Sequence, residues 1–312
     1  MELTRDIRKQ ANSTHCIATI GNFDGVHLGH QSVLNQLKRY SDELNLPAVV
    51  ITFEPLPLEF FKPESAPVRL TDFRNKIELL ASLSIDQVVC LRFKESLADL
   101  SAESFVKNIL IVGLGIKRLV VGDDFRFGKD RVGNIELLHQ MGQQFGFDVK
   151  LTESFQYNGK RVSSSLVRGH LAMGNFDEVH ELLGREYRLS GKVVHGDKRG
   201  RELGFKTANI VLKNSNYPLS GVFVVRVHTE DNAVYNGVAS IGTRPVFDGK
   251  VPLMEIHIFD FDDDIYGTRI SVGFLKHLRN EEHFPSVDAL CEQMKKDVKR
   301  ANDYFEKLGA GK

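Results

Sequence analysis

The chain has 312 residues, more than one core usually organises, so two domains are expected, each large enough to bury a core of its own. Its 41 Lys+Arg balance 41 Asp+Glu, which leaves no net charge to draw it to nucleic acid or an anionic membrane, so an anionic ligand has to be held by a local site. With 42% hydrophobic and 26% charged residues the composition is that of an ordinary globular protein.

The N-terminal MELTRDIRKQ lacks the apolar stretch of a signal peptide, and no window approaches the roughly 18 uninterrupted apolar residues of a membrane helix. A cytoplasmic protein with no membrane partner is expected. Cys16, Cys90 and Cys291 are odd in number, far apart and without the paired short spacing of a zinc or redox site. Each sits in an apolar run, which predicts reduced core thiols.

In the first half, β-branched runs over 16–20, 48–53, 87–91, 118–121 and 148–151 predict strands. Between them Phe73, Ile77 and Leu80, and again Phe105, Ile109 and Val112, stand at helical spacing, so each set can lay an apolar stripe on a sheet. This alternation predicts a parallel sheet covered by helices.

The first strand runs directly into Gly21-Asn22-Phe23-Asp24-Gly25-Val26-His27-Leu28-Gly29-His30, which opens a helix. Glycines at a strand-to-helix turn let backbone approach a phosphate, and the helix N-terminus adds N–H groups and partial positive charge. His27 and His30, three residues apart, are expected on one face of the first turn as a polyphosphate clamp. The segment is neither G-x-G-x-x-G nor G-x-x-x-x-G-K-[ST], which argues against a dinucleotide-redox site and a P-loop. Three further segments fit adenylyl chemistry: Phe53-Glu54-Pro55-Leu56-Pro57, Gly122-Asp123-Asp124-Phe125-Arg126-Phe127-Gly128 and Ser163-Ser164-Ser165-Leu166-Val167-Arg168. Serines at a helix start with Arg168 can bind a departing pyrophosphate, and Arg126 between Phe125 and Phe127 offers a cation and stacking surfaces. The same serines could simply cap a helix, and the same phenylalanines could simply fill a core.

The domain boundary is expected within Leu183-Gly184-Arg185-Glu186, giving domains 1–184 and 185–312. Beyond it, strands over 190–194, 208–211, 221–227, 234–241, 254–259 and 269–274 follow without intervening helices, which predicts an antiparallel six-stranded barrel. Val287, Leu290, Met294, Val298, Ala301 and Phe305 define a terminal amphipathic helix packed on it. Between the first two barrel strands, His195-Gly196-Asp197-Lys198-Arg199-Gly200-Arg201-Glu202-Leu203-Gly204 is a basic, glycine-rich loop whose backbone can wrap a phosphate. Thr207 and Asn209, two apart on a strand, share a face and can offer oxygens to Mg²⁺.

These segments carry a family resemblance. The H-x-G-H is similar to that of the nucleotidylyltransferase superfamily, and the four N-terminal segments together resemble the FMN adenylyltransferase domain of bifunctional prokaryotic FAD synthetases. The loop ending Thr207-Ala208-Asn209 resembles the signature of riboflavin kinases, and so do Gly237-Val238-Ala239-Ser240-Ile241-Gly242-Thr243-Arg244-Pro245, Glu255-Ile256-His257, Tyr266-Gly267 and Leu278-Arg279-Asn280-Glu281.

The resemblance implies a nucleotidylyltransferase-like α/β domain with a Rossmann-like parallel sheet, followed by a riboflavin kinase barrel. It implies ATP as co-substrate of both steps, Mg²⁺ as cofactor, and riboflavin, FMN and FAD as ligands of a monomer or weak homo-oligomer. At the first site it assigns ATP to Gly21, Asn22, Phe23, Asp24, Gly25, His27, His30, Ser164, Ser165 and Arg168, with flavin at Phe53, Pro55, Asp124, Phe125, Arg126 and Phe127. At the second it assigns ATP to Gly196, Lys198, Gly200, Arg201, Gly204, Thr207 and Asn209, metal to the last two, flavin to Arg279 and Glu281, and the general base to Glu255. Lys206, Ser240 and Val246 stand where the family usually has Pro, Asn and Thr. Two other readings stay open: an adenylyltransferase whose barrel is a weak kinase or flavin-binding module, and a flavin-binding regulatory protein without chemistry.

Overall fold

The computed structural model describes residues 1–7, 15–152, 154–195, 205–212, 217–246 and 249–310; for 243–246, 249–251 and 310 it describes the backbone alone. The chain forms two compact units, Met1–Ser164 and Ser165–Lys312.

The Val- and Ile-rich runs of the first unit are apolar on both faces because helices cover both. In chain order its elements are β1 (Glu2–Arg5), β2 (Cys16–Ile20), α1 (Leu28–Leu44), β3 (Ala48–Glu54), α2 (Pro57–Phe61), α3 (Phe73–Ser82), β4 (Gln87–Arg92), α4 (Glu95–Ala98), α5 (Ala102–Phe105), β5 (Ile116–Gly122), α6 (Ile135–Phe145), β6 (Asp148–Thr152) and the short pair β7 (Gln156–Tyr157) and β8 (Lys160–Arg161). The sheet runs β1-β4-β3-β2-β5-β6, every neighbouring pair parallel. Ile17, Val50, Val88 and Val120 face Leu34 and Leu37 of α1 and Leu80 of α3. Ala18, Ile51, Leu119 and Val121 lie in the opposite layer with Phe105, Leu110 and Leu138. The chain therefore winds outward from β2 in both directions, and the strand order reverses there.

Two features differ from the sequence expectation. β1 is a polar edge strand, paired with β4 through backbone, and its ELTR carries no apolar run to mark it. After α5 the backbone continues as a π-helix, Val106–Gly113, so the stripe does not follow 3.6-residue spacing. Val106, Leu110 and Gly113 point inward, whereas Val112 is 63% exposed instead of lying on the sheet.

α7 (Ser164–Ala172) carries the chain into the second unit, followed by α8 (Phe176–Leu183), β9 (Tyr187–Val194), β10 (Ala208–Val211), β11 (Gly221–His228), β12 (Val234–Val246), β13 (Gly249–Ile258), β14 (Arg269–Arg279) and α9 (Val287–Ala310). The six strands close as β10-β13-β12-β11-β14-β9, with all pairs antiparallel. β9 alternates buried and more exposed residues along its length, the period of a strand with one covered face. On β11, Val222 and Val224 pack with Ala301, Tyr304 and Phe305 of α9, while Phe223 meets Phe176 of α8 and Phe274 of β14. The terminal helix begins looser than its spacing predicts: Val287 is exposed and Cys291 only half-buried. Cys16 and Cys90 are core thiols, and burial pushes Cys16 up to about 12.

Candidate active sites

Parallel strands place the segments that follow them at one edge of the sheet. The ends of β2, β3 and β5 are neighbours there, so the loops beginning at Gly21, Pro55 and Asp123 leave the sheet side by side, around the crevice that such an edge forms. The crevice lies at the reversal of strand order, the place where open α/β sheets bind ligands.

The Gly21 loop is tightly constrained. Phe23 has φ 48°, Gly25 φ 83° and Val26 φ 39°, three left-handed residues in four. The buried Asp24 carboxylate accepts the N–H groups of Leu70 (2.9 Å) and Thr71 (3.1 Å), and the Gly25 N–H donates to the Thr71 hydroxyl at 3.1 Å. Asp24 is thus an anchor of the loop as well as a member of the expected nucleotide site. His27 is the N-cap of α1: its Nδ1 accepts the His30 backbone N–H at 3.2 Å. In the neutral ring the proton therefore sits on Nε2. The two imidazoles stack with centroids 3.7 Å apart, and Phe23 tilts against His30 at 5.1 Å. The expected shared face is present, built at the end of a 17-residue helix whose dipole favours an anion.

After β5, Asp124 pairs with Arg161 at 2.9 Å, and this hydrogen bond holds its carboxyl below the usual range. Arg126 is exposed, Phe125 half-buried and Phe127 buried; Phe127 stacks on Phe125 at 5.5 Å and tilts on Phe105 at 5.8 Å. Phe127 is therefore a core residue that pins the loop. After β3, Phe53 meets Phe93 edge-on at 5.7 Å, and Phe60 and Phe61 of α2 crowd the same ring. Ser164 opens α7 and donates to the Asp24 carbonyl at 2.9 Å, which joins the serine segment to the Gly21 loop. Ser165 and Arg168 follow within the first turns of the same helix.

Sequence reasoning missed the support beneath this edge. Lys76 of α3 is only 2% exposed, and its Nζ donates to the Asn22 carbonyl at 3.2 Å and the Thr52 hydroxyl at 3.3 Å. Arg69 lies between Glu54 and Glu59; burial raises the Glu59 pKa, but hydrogen bonds from Arg69 and the Leu56 N–H outweigh it and leave the carboxyl below its usual range. A signal existed: Lys76 stands three after Phe73 and four before Leu80, inside the apolar stripe where a solvated lysine does not belong.

In the barrel, Gly196, Lys198, Gly200, Arg201 and Gly204 lie outside the described residues. Asn209 of β10 stands directly opposite Glu255 of β13, which in turn stands opposite Ser240 of β12. Directly opposed residues share a face, so the three side chains form a row across adjacent strands. Asn209 is buried and its amide Nδ2 lies 3.4 Å from the Thr207 carbonyl. Thr207 and Asn209 line a cavity of about 220 Å³ with Val193, Lys206, Phe261 and the 262–266 loop. Lys206 points to Asp262, its Nζ 2.7 Å from Oδ1, and this bond holds the Asp262 carboxyl below the usual range.

Glu281 packs over Gly242, where a Cβ would collide with its carboxylate, and Gly242 lies two beyond Ser240 on the same face. Glu281 therefore borders the Glu255 row. Arg279 is committed elsewhere: its guanidinium grips the buried Asp297 of α9 with two 2.9 Å contacts. Val246 ends β12, with only its backbone described.

Residues 9–166 match the FAD synthetase family and residues 183–305 the riboflavin kinase family. A bifunctional riboflavin kinase/FMN adenylyltransferase of Haemophilus influenzae is 43% identical, covering 93% of this chain and 94% of that protein. One of the same name from Escherichia coli strain K12 is also 43% identical, covering 98% of each. The crystal structure of a macrolide-efflux protein from Streptococcus pneumoniae matches with a TM-score of 0.82 at 30% identity, covering 97% of this chain and 99% of that one. Among the described residues here, no helix is long and apolar enough to cross a membrane.

Proposed function

Because the chain belongs to the family of bifunctional riboflavin kinases/FMN adenylyltransferases, with ATP consumed in both of its reactions, we propose that the sheet edge carries FMN adenylylation and the barrel row carries riboflavin phosphorylation. The observation that carries the first half is the stacked His27–His30 pair on the N-terminus of α1, at the crevice where strand order reverses.

In adenylyl transfer an FMN phosphate oxygen attacks the α-phosphorus of ATP and the bond to pyrophosphate breaks. The nucleophile is already ionised, so the protein has only to align the partners and neutralise charge. His27 Nε2–H and His30 donate to the phosphates with the N–H groups of the Gly21 loop, and Ser164, Ser165 and Arg168 take the pyrophosphate. Phe53, Pro55, Asp124, Phe125 and Arg126 border the flavin, with Phe127 behind them.

In the barrel, Glu255 takes the proton of the ribityl hydroxyl as its oxygen attacks the γ-phosphorus and ADP leaves. The hydroxyl of Thr207 and the amide oxygen of Asn209 are hard oxygens that would hold Mg²⁺, which when bound would supply positive charge to the ATP phosphates. Lys206 is held by Asp262, which supports a working kinase despite the substitution. We place the catalytic modules at 1–184 and 185–312, and the protein in a reducing, cytoplasmic setting compatible with its buried thiols.

Separate assays of the two reactions on one preparation test the assignment. His27→Ala is expected to lower FAD formation from FMN by about 10²–10³-fold and spare riboflavin phosphorylation. Glu255→Gln is expected to lower phosphorylation by about 10²–10⁴-fold and spare FAD formation. Equal loss of both activities in either folded variant would overturn the division.

A further inference from the structure

A lysine buried under a binding loop needs a reason, because the charged form is disfavoured away from water. Lys76 has no solvent to face, and its ammonium reaches the Asn22 carbonyl and the fully buried Thr52 hydroxyl. Thr52 in turn donates to the same carbonyl at 3.4 Å, so Asn22 O is held from below by two donors. In a trans peptide the C=O and the following N–H point opposite ways. Pulling Asn22 O down into the fold therefore turns the Phe23 N–H outward, to the side where the sheet edge opens.

That orientation is not one the chain adopts unaided. Phe23 has φ 48°, a left-handed value that a bulky residue avoids, and such conformations persist only where surrounding contacts over-determine them. The Phe23 ring lies over Gly21, with Cε2 3.0 Å from where a Cβ would stand, and against His30 at 5.1 Å. A relaxed peptide at 22–23 would thus move the ring that packs on His30, and with it the imidazole pair.

We propose that Lys76 is a positioning residue for adenylyl transfer: with Thr52 it clamps the Asn22 carbonyl and so holds the strained turn that presents the Phe23 N–H and the histidine pair to the ATP phosphates. This rests on the reading of the His27–His30 crevice as the adenylyltransferase site. Burial lowers the Lys76 pKa, and nearby Arg69 adds to this, while Glu54, Asp24 and Cys90 oppose it. The clamp is charged below that lowered value and weakens as pH rises through it.

The test uses the full chain and assays both reactions across alkaline pH, in the natural protein and in Lys76→Met, Lys76→Arg and His27→Ala. Lys76→Met is expected to lower kcat for FAD formation by about 100-fold, the scale of a lost oxyanion donor, with riboflavin phosphorylation within about twofold. FAD formation in the natural protein should fall on an alkaline limb that phosphorylation lacks. Lys76→Arg should remove the limb, since a guanidinium stays charged. A folded Lys76→Met that keeps FAD formation within about threefold of natural, a limb unchanged in Lys76→Arg, or no limb in the natural protein would overturn the proposal. If the variants fail to fold, the presence or absence of the natural limb decides. Loss of FAD formation in His27→Ala but not in folded Lys76→Met would sink the role of Lys76 alone, whereas retention in His27→Ala would sink the site itself.

Discussion

A buried carboxylate persists only where donors replace its water, and Asp24 has the Leu70 and Thr71 N–H groups and the Thr71 hydroxyl. Asp24→Asn turns one acceptor oxygen into a donor facing those N–H groups. It is expected to destabilise the first unit by about 1–3 kcal/mol in urea unfolding and to depress FAD formation while phosphorylation persists. The adjacent Gly25 has φ 83°, and a Cβ there would stand 2.7 Å from Leu70 Cδ1 and 3.2 Å from Leu70 Cβ. Gly25→Ala combines a disfavoured backbone with an overpacked, fully buried leucine, and about 1–3 kcal/mol of destabilisation should appear by the same measurement. Residues that hold the loop and residues expected to touch the nucleotide are interleaved, which is why function and stability fall together on one side of this turn.

At the scale of the elements, the terminal helix is joined to the barrel by charge as well as apolar contact. Asp297 is buried on α9, accepts twice from Arg279 at the end of β14 and once from Gln293 at 2.9 Å. Removing one partner of such a pair strands the other, so Asp297→Ala is expected to cost about 3–5 kcal/mol. The unfolding of the second unit should shift to lower denaturant and riboflavin phosphorylation should fail at lower temperature, with FAD formation from FMN retained. The neighbouring Glu281 lies over Gly242 beside the Glu255 row. Beside the Arg279–Asp297 pair, on the opposite face of β11, Phe223 meets Phe176 of α8 edge-on, and Phe176 stacks on Phe274. A fragment beginning at 165 should therefore melt higher than one beginning at 185, which leaves that aromatic contact bare.

At the scale of the whole molecule, among the described residues, each unit has an ion-paired glutamate held below its usual range, Glu59 in the first and Glu186 in the second. Burial raises both, but Arg69 outweighs it at Glu59, and Arg226 with Arg188 at Glu186. A carboxyl depressed in the folded state adds stability above its unfolded pKa of about 4.3 and loses it as pH falls through the folded value. Both units should melt at lower temperature as pH drops below that figure, and Glu59→Gln should flatten the response of the first unit only. The sequence alone determined the order of the five strands β2 to β6 of the first unit and of the six strands and terminal helix of the second, because the period-two and 3.6-residue patterns follow directly from burial on one or both faces. It carried the family resemblance as well, through the H-x-G-H, the Thr207–Asn209 pair and Glu255, the residues on which the proposed sites rest. It did not reveal β1, a polar edge held by backbone pairing, nor the π-helix that turns Val112 outward, since neither leaves a side-chain period. Only the tertiary structure decided what each polar residue faces: Lys76 buried beneath Asn22, Arg279 turned to Asp297, Lys206 turned to Asp262. The apolar stripe marks Lys76 as a lysine out of place, but the partners lie 54, 18 and 56 residues away, at positions set by how strands are ordered and a barrel is closed.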